Sequence, residues 1–424
     1  MATHRKRLTR REALGGIGAL AMAARTKEEG QAQEPGRPFE DAIPITGKAG
    51  PGLEPLDAAM LKIMDHHGIP GAALALAKDG KLVLAKGYGW ANVPKGEPVQ
   101  PDTLFGLASL SKSITAVTTL LLVERGKLDL DDRVFDILKN IKPPRGARVD
   151  PRLGDVTVRH CLNHSGGWDR NVTGDPINWE PQICRAFRLR SPLSSHQFIQ
   201  FSLSVPLNFN PGTDTKYSNV GYIILGEVVA KVSGQPYDRF VVENVLKPMD
   251  IRRSKLHPRD GKYLLGEALR HLAGTLIPLP SMRLPMVDAA GGWSASVVDM
   301  VRFLTNLDGS RGEPVLSEKT RKLMMEPPPA PIRRRENGTW FGLGWDSVLV
   351  KGKEFAYFKD GSYQGMRTYM KRRPNGVNWA LLYNASMEFD PQDMQTASRT
   401  VQEVHQLVEG LGKYPDIDLF KEYP

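Results

Sequence analysis

The chain has 424 residues, of which 41% are apolar and 25% charged, and a formal net charge of +10. That length and balance provide for a large buried core and exclude a disordered or membrane-spanning class, since no run of about 18 apolar residues occurs beyond the N-terminus. The basic residues are dispersed: Arg333-Arg-Arg335 is the densest later run and lies beside a proline-rich stretch, so no basic, aromatic-lined stripe marks a nucleic-acid binder.

At the N-terminus, a basic stretch holding Arg10-Arg11 precedes a short apolar run from Ala13 to Ala24, with Ala21-Met-Ala23 as a cleavage site. This is the layout of a twin-arginine-type signal over residues 1–24. The protein is therefore expected to be exported to the periplasm or secreted, with a mature net charge of about +6 and no stable membrane insertion. Residues 25–52, rich in Gly, Pro, Gln and charge, are expected to form a flexible linker.

Apolar spacing predicts a helix from Leu56 to His67, stopped by Gly68. Residues 71–77 and 82–88 read as two strands joined through Asp79-Gly80, a hairpin signal. A long helix is expected from Ser109 to Arg125, with Gly126 ending it. Residues 127–290 are helical pieces separated by Pro and Gly, including a helix at 220–232. Strands return at 341–350, 355–359, 366–373 and 378–384, and short turns make the last of them antiparallel neighbours. A closing helix is expected over 390–411.

The implied fold class is α+β: an antiparallel sheet built from both chain ends and flanked by helices, with an inserted, mostly helical subdomain. The expected divisions are 53–110 and 290–412 for the α/β part, 111–289 for the helical part, and 413–424 for a C-terminal tail. Cys161 and Cys184 are too few for a disulfide framework; a single bridge and two free thiols both remain open.

Ser109-Leu-Ser-Lys112 places a hydroxyl and an amine three residues apart at the start of the long helix, on one face. The first turn favours developing negative charge. A lysine whose burial lowers its pKa can take the serine proton. The same pattern also fits a helix cap followed by a solvated lysine, so partners decide between them. Two candidates follow. Tyr217-Ser-Asn219 sits at a loop-to-helix junction after Pro211-Gly212, and Lys359-Asp-Gly361-Ser362 ends a strand where Gly361 and Gly365 let a substrate lie along the backbone.

The ordered trio Ser-x-x-Lys, Tyr-x-Asn and Lys-x-Gly resembles the serine β-lactamase and penicillin-binding-protein superfamily, and its tyrosine resembles the class C β-lactamase-like branch. The resemblance covers roughly residues 53–412 and includes the Asn163-His-Ser-Gly-Gly167 loop and Ala289-Ala-Gly-Gly-Trp293. It implies a β-lactamase/transpeptidase-like fold and a serine hydrolase that forms an acyl-enzyme on Ser109. Lys112 would activate the serine. Tyr217, its phenol pKa lowered by Lys112 and Lys359, would shuttle the proton. Asn219 would bind Lys112 or the substrate amide. Lys359 and Gly361 would line the substrate strand, and the N–H groups of Ser109 and Ser362 would hold the oxyanion.

Asp360 stands where that superfamily usually has Thr or Ser. Its carboxylate would repel an anionic substrate unless Arg367 or Lys359 compensates, which points to esters or amides and to weak or no β-lactam hydrolysis. The expected substrate is a small or peptide-like ester or amide, in the manner of an esterase, D-aminopeptidase or D,D-carboxypeptidase. No cofactor or metal is called for. The alternative is an inactive, penicillin-binding-like sensor or scaffold for cell-wall peptides. His160 and His164, at i and i+4, fit a metal pair or turn-stabilising histidines, and no clear third ligand follows. No Gly-x-Ser-x-Gly elbow marks an α/β-hydrolase.

Overall fold

The computed structural model describes residues 43–423 apart from 273, 283, 284, 353 and 387–390, and leaves the side chains of 391–397 out of the description. The expected export signal, and most of the expected linker, lie outside the described residues.

Both ends of the chain feed one antiparallel sheet. The N-terminal part supplies β1 (Ile45–Ala49), β2 (Gly71–Lys78) and β3 (Lys81–Asn92); the C-terminal part supplies β4 (Trp340–Gly342), β5 (Trp345–Lys351), β6 (Glu354–Tyr363), β7 (Met366–Arg372) and β8 (Val377–Tyr383). Their order is β1-β3-β2-β8-β7-β6-β5-β4, with Glu97–Pro98 pairing beside β3. The halves meet at the β2–β8 ladder, which runs from Val377 opposite Lys78 to Tyr383 opposite Ala72. The main helices around the sheet and in the helical portion are α1 (Pro55–His67), α2 (Ser111–Glu124), α3 (Asn219–Ser233), α4 (Asp288–Gly291), α5 (Val297–Leu307) and α6 (Pro391–Gly410).

Strand periodicity assigns the two faces. Leu74 and Leu76 join Trp379 and Leu381 in a cluster with Met60 and Met64 of α1 and Val404 and Val408 of α6. Ala73, Ala75 and Ala77 point the other way, into the cluster that holds Phe303 and Leu304 of α5. Small side chains on that face let α5 lie close against the strands. The second cluster continues into the helical part between α2 and α3, so one core runs under both portions of the molecule.

Four local expectations are revised. Residues 45–49, read as linker, form β1, because pairing with residues 84–88 of β3 supplies partners for their backbone groups. The tail beyond residue 412 is anchored as well. Phe420 is 2% exposed, the Arg311 guanidinium lies 4.1 Å from its ring, and Asp418 accepts the Leu82 N–H at 3.1 Å. The long helix begins at Ser111 rather than Ser109, since Ala108–Leu110 form a 3-10 turn. The strand read as 341–350 breaks into β4 and β5 around Gly344. There φ is +96°, and a Cβ would fall 2.5 Å from that of Ala116 on α2.

The buried tail predicts a measurable stability contribution. Phe420→Ala should lower the unfolding free energy by about 3 kcal/mol in urea denaturation. Ile277→Ala, at a 74% exposed position, should change it by less than about 0.5 kcal/mol. Equal effects for the two would mean that the tail is not part of the cooperative fold.

Candidate active site

The serine sits on a turn pinned from three sides. Leu107 N–H donates to the Trp293 carbonyl at 2.7 Å, and the Leu107 carbonyl accepts the Thr368 hydroxyl of β7 at 2.7 Å. Gly361 of β6 packs so closely that a Cβ there would lie 2.6 Å from the Leu107 oxygen and 2.9 Å from the Ser109 nitrogen. Only glycine fits that crossing. Ala108, just before the serine, has φ +45°, a left-handed conformation that an alanine holds only when its surroundings impose it.

One step into α2, the Lys112 side chain has no solvent exposure. Its Nζ lies 2.6 Å from Asn219 Oδ1, 2.6 Å from the Ala290 carbonyl of α4 and 3.1 Å from Ser109 Oγ. Burial, then the nearby Lys359 charge, pull its pKa well below the ordinary lysine value, against the opposing pull of Asp346 and Asp175. A neutral amine is the form this environment favours.

Tyr217 donates its hydroxyl to Ser109 Oγ at 2.6 Å. The loop carrying it is fixed by residue 164: the His164 carbonyl accepts the Lys216 N–H at 2.9 Å, and His164 Nδ1 accepts the Ser218 N–H at 3.2 Å. The His164 ring lies 4.6 Å from that of Tyr217. Burial holds this imidazole neutral. His160 Nδ1 accepts the Thr157 N–H, closing a capping box, so each of the two histidines has a local structural partner.

The expected lowering of the Tyr217 pKa is overturned. Its phenol is pushed well above the usual value, first by burial and then by the Asp346 carboxylate. Lys359, expected to lower it, is paired with Asp346 at 2.5 Å, with its Nζ 4.9 Å from the Tyr217 ring centre. Arg170 packs its guanidinium 4.7 Å from the same ring centre.

β6 forms the remaining wall. Its pairing with β5 ends at Phe358 opposite Ser347, leaving the edge of 359–363 open on that side. Asp360 N–H points away from β7, to Asp346 Oδ2 at 3.2 Å. Ser362 N–H, two residues on, therefore points out of the same open edge. Lys359 and Gly361 share the face toward the serine turn, because Gly361 is opposite Thr368. Asp360 shares the other face with Ser362 and Arg367, and Arg367 Nη2 bonds its carboxylate at 2.8 Å. Arg367 thus supplies the compensation that Asp360 requires.

Ser109, Tyr217, Asn219 and Ser362 line a single cavity of about 310 Å³ together with Arg170 and Asp175. All seven sequence-selected residues are thus at or beside one cleft. Asp346, Asp175, Arg170, His164 and the Ala290 carbonyl complete it, and sequence reasoning missed their parts. Asp175-Pro176 is a visible turn signal, but its partner Asn219 lies 44 residues away.

A family model described as Beta-lactamase matches residues 56–406. The chain is 24% identical over 362 residues to Penicillin-binding protein 4* of Bacillus subtilis (strain 168), an alignment spanning 80% of this chain and 73% of that protein. It is 30% identical over 238 residues to Esterase EstB of Burkholderia gladioli, covering 53% of this chain and 58% of the relative. Among solved structures, the D-amino acid amidase from Ochrobactrum anthropi SV3 shares the fold at a TM-score of 0.65 and 22% identity, over 84% of this chain and 99% of that one. With most of its length matched by the family model, the chain belongs to the Beta-lactamase family.

Proposed function

We propose that the protein is a serine hydrolase that cleaves an ester or amide through an acyl-enzyme on Ser109. The observation that carries this reading is the chain of contacts Tyr217–Ser109–Lys112 around a fully buried amine. A neutral lysine has two N–H bonds and one lone pair. Asn219 Oδ1 and the Ala290 carbonyl can only accept, so they take the two N–H bonds. The lone pair is left for the Ser109 proton.

In acylation the proton passes from Ser109 Oγ to Lys112, and Oγ bonds the substrate carbonyl carbon. The resulting oxyanion lies between the N–H groups of Ser109 and Ser362. Collapse expels the leaving group, which takes the Tyr217 proton, and the tyrosine is reprotonated from Lys112. A water molecule then repeats the sequence on the ester, releasing the acid and restoring Ser109. Each oxyanion donor contributes about 3 kcal/mol to such a transition state. Weak or absent β-lactam hydrolysis follows from β6: no hydroxyl stands at 360, and Lys359 and Arg367 are already paired with Asp346 and Asp360. A substrate carboxylate finds no free cation on that strand. The twin-arginine export expected from residues 1–24 places this activity outside the cytoplasm.

Ser109→Ala should reduce p-nitrophenyl acetate hydrolysis by about 10³-fold or more and abolish fluorophosphonate labelling, with an unchanged melting temperature. Nitrocefin should be turned over far more slowly than the ester by the wild type. Retained labelling in the variant would remove Ser109 from the mechanism, and efficient nitrocefin turnover would overturn the substrate argument.

The pH dependence has a definite sign. Activity needs Lys112 neutral and Tyr217 protonated, so kcat/KM should rise through one acid limb and stay level to about pH 9.5. Lys112 binds its proton more weakly in the folded than in the unfolded state, where its pKa is about 10.4. Its contribution to stability therefore increases with pH between those two values. Lys112→Met should abolish turnover and flatten this part of the curve of melting temperature against pH. An alkaline fall in rate near pH 8 would contradict the raised Tyr217 pKa, and an unaltered curve in the variant would contradict a neutral lysine.

A further inference from the structure

Asp175 carries a charge that the acyl-transfer scheme does not use. It caps the short 3-10 turn Pro176–Trp179, with Oδ1 accepting the Ile177 N–H at 3.3 Å. Its Oδ2 accepts Asn219 Nδ2 at 2.6 Å. Two hydrogen bonds occupy only half of a carboxylate's acceptor sites. No ion pair to Asp175 occurs among the described residues. Arg170, the nearest cation of the same loop in sequence, lies against the Tyr217 ring instead. Asp175 therefore lines the cavity it shares with Ser109 and Arg170 without an ion-pair partner among the described residues.

Its position relative to the nucleophile is fixed by one side chain. Asn219 spans the gap, accepting from Lys112 on one side and donating to Asp175 on the other. Asp175 thus stands one amide group beyond the lysine that touches Ser109 Oγ. An acyl group bound to Ser109 that carries an amine on its α-carbon occupies the cavity that Asp175 also lines. A neutral or anionic acyl group would leave a partly desolvated carboxylate without a counter-charge, which is unfavourable.

We propose that Asp175 anchors the ammonium group of the substrate's acyl half, so that the cleft selects aminoacyl amides and esters with a free amine over their N-acylated counterparts. The proposal rests on the serine-hydrolase reading and narrows its substrate class. Lys112 and Asn219 act on the serine; Asp175 acts on the substrate.

The test compares alanine p-nitroanilide with N-acetyl-alanine p-nitroanilide, each as both enantiomers, on the full chain and on Asp175→Asn and Ser109→Ala. The wild type should favour the free amine by about 10- to 100-fold in kcat/KM, the size of one charge-assisted hydrogen bond. Asp175→Asn should bring that ratio to about 1, chiefly by raising KM for the free amine. A loss that is equal for both substrates would show that Asp175 only positions Asn219, and would overturn the proposal. So would a wild-type ratio near 1. If p-nitrophenyl acetate is hydrolysed in a Ser109-dependent way while the ratio is 1, the ammonium anchor alone fails. If no substrate is hydrolysed and Ser109 is not labelled, the underlying hydrolase reading fails with it.

Discussion

An amine with no exposure to water is the constraint around which this cleft is built. Burying Lys112 as an ammonium would cost several kcal/mol unless a carboxylate came with it. Among the described residues none touches it: its neighbours within hydrogen-bonding distance are two amide-type oxygens and a hydroxyl. Burial and the Lys359 charge, rather than the count of acceptors, disfavour a third N–H on this amine. Packing favours the neutral form of the lysine, and in the proposed scheme reactivity at Ser109 depends on that form.

The arrangement depends on segments far apart in the chain. Ser109 comes from the 3-10 turn before α2, Lys112 from the start of α2, Asn219 from the start of α3, the Ala290 carbonyl from α4, and Lys359 from β6. They are brought together because β2 and β8 join the two chain ends into one sheet while α2 and α3 share a core beneath it. Two close approaches set the spacing. Gly361 lets β6 lie on the serine turn, and Gly344 lets the strand bend over α2, where its carbonyl accepts the Ser113 hydroxyl at 2.7 Å. A methyl group at either place would push the walls apart. The same sheet leaves the edge of 359–363 open, so that wall of the cleft presents backbone groups of β6.

Much of this architecture is legible in the amino-acid sequence. Periodicity and turn residues locate the hairpin at Asp79-Gly80, α1, α3 and the late strands to within a few residues, because those signals are local. The trio of motifs places its residues around one cleft because each motif ties a side chain to the end of a helix or strand. What escapes is non-local. Burial of Tyr217, and then the Asp346 carboxylate that pairs with Lys359, reverse the shift expected for its phenol, and nothing near these residues in sequence announces it. The compensation of Asp360 by Arg367 depends on the register of β6 and β7. The anchoring of Phe420 under Arg311 joins positions far apart in the chain, and no pattern in a short tail reveals such a partner. The delayed start of α2 comes from the strained Ala108, whose conformation is imposed by the strands packed on it.

A single proton on Lys112 decides the chemistry of the cleft, and NMR titration of the lysine side chains reads it directly. In protein carrying isotope-labelled lysine, with the Lys112 signal assigned by its absence in Lys112→Met, that signal should titrate well below the ordinary value of about 10.4 and report a neutral amine at neutral pH. A Lys112 signal that stays protonated and titrates near 10 with the surface lysines would contradict the account.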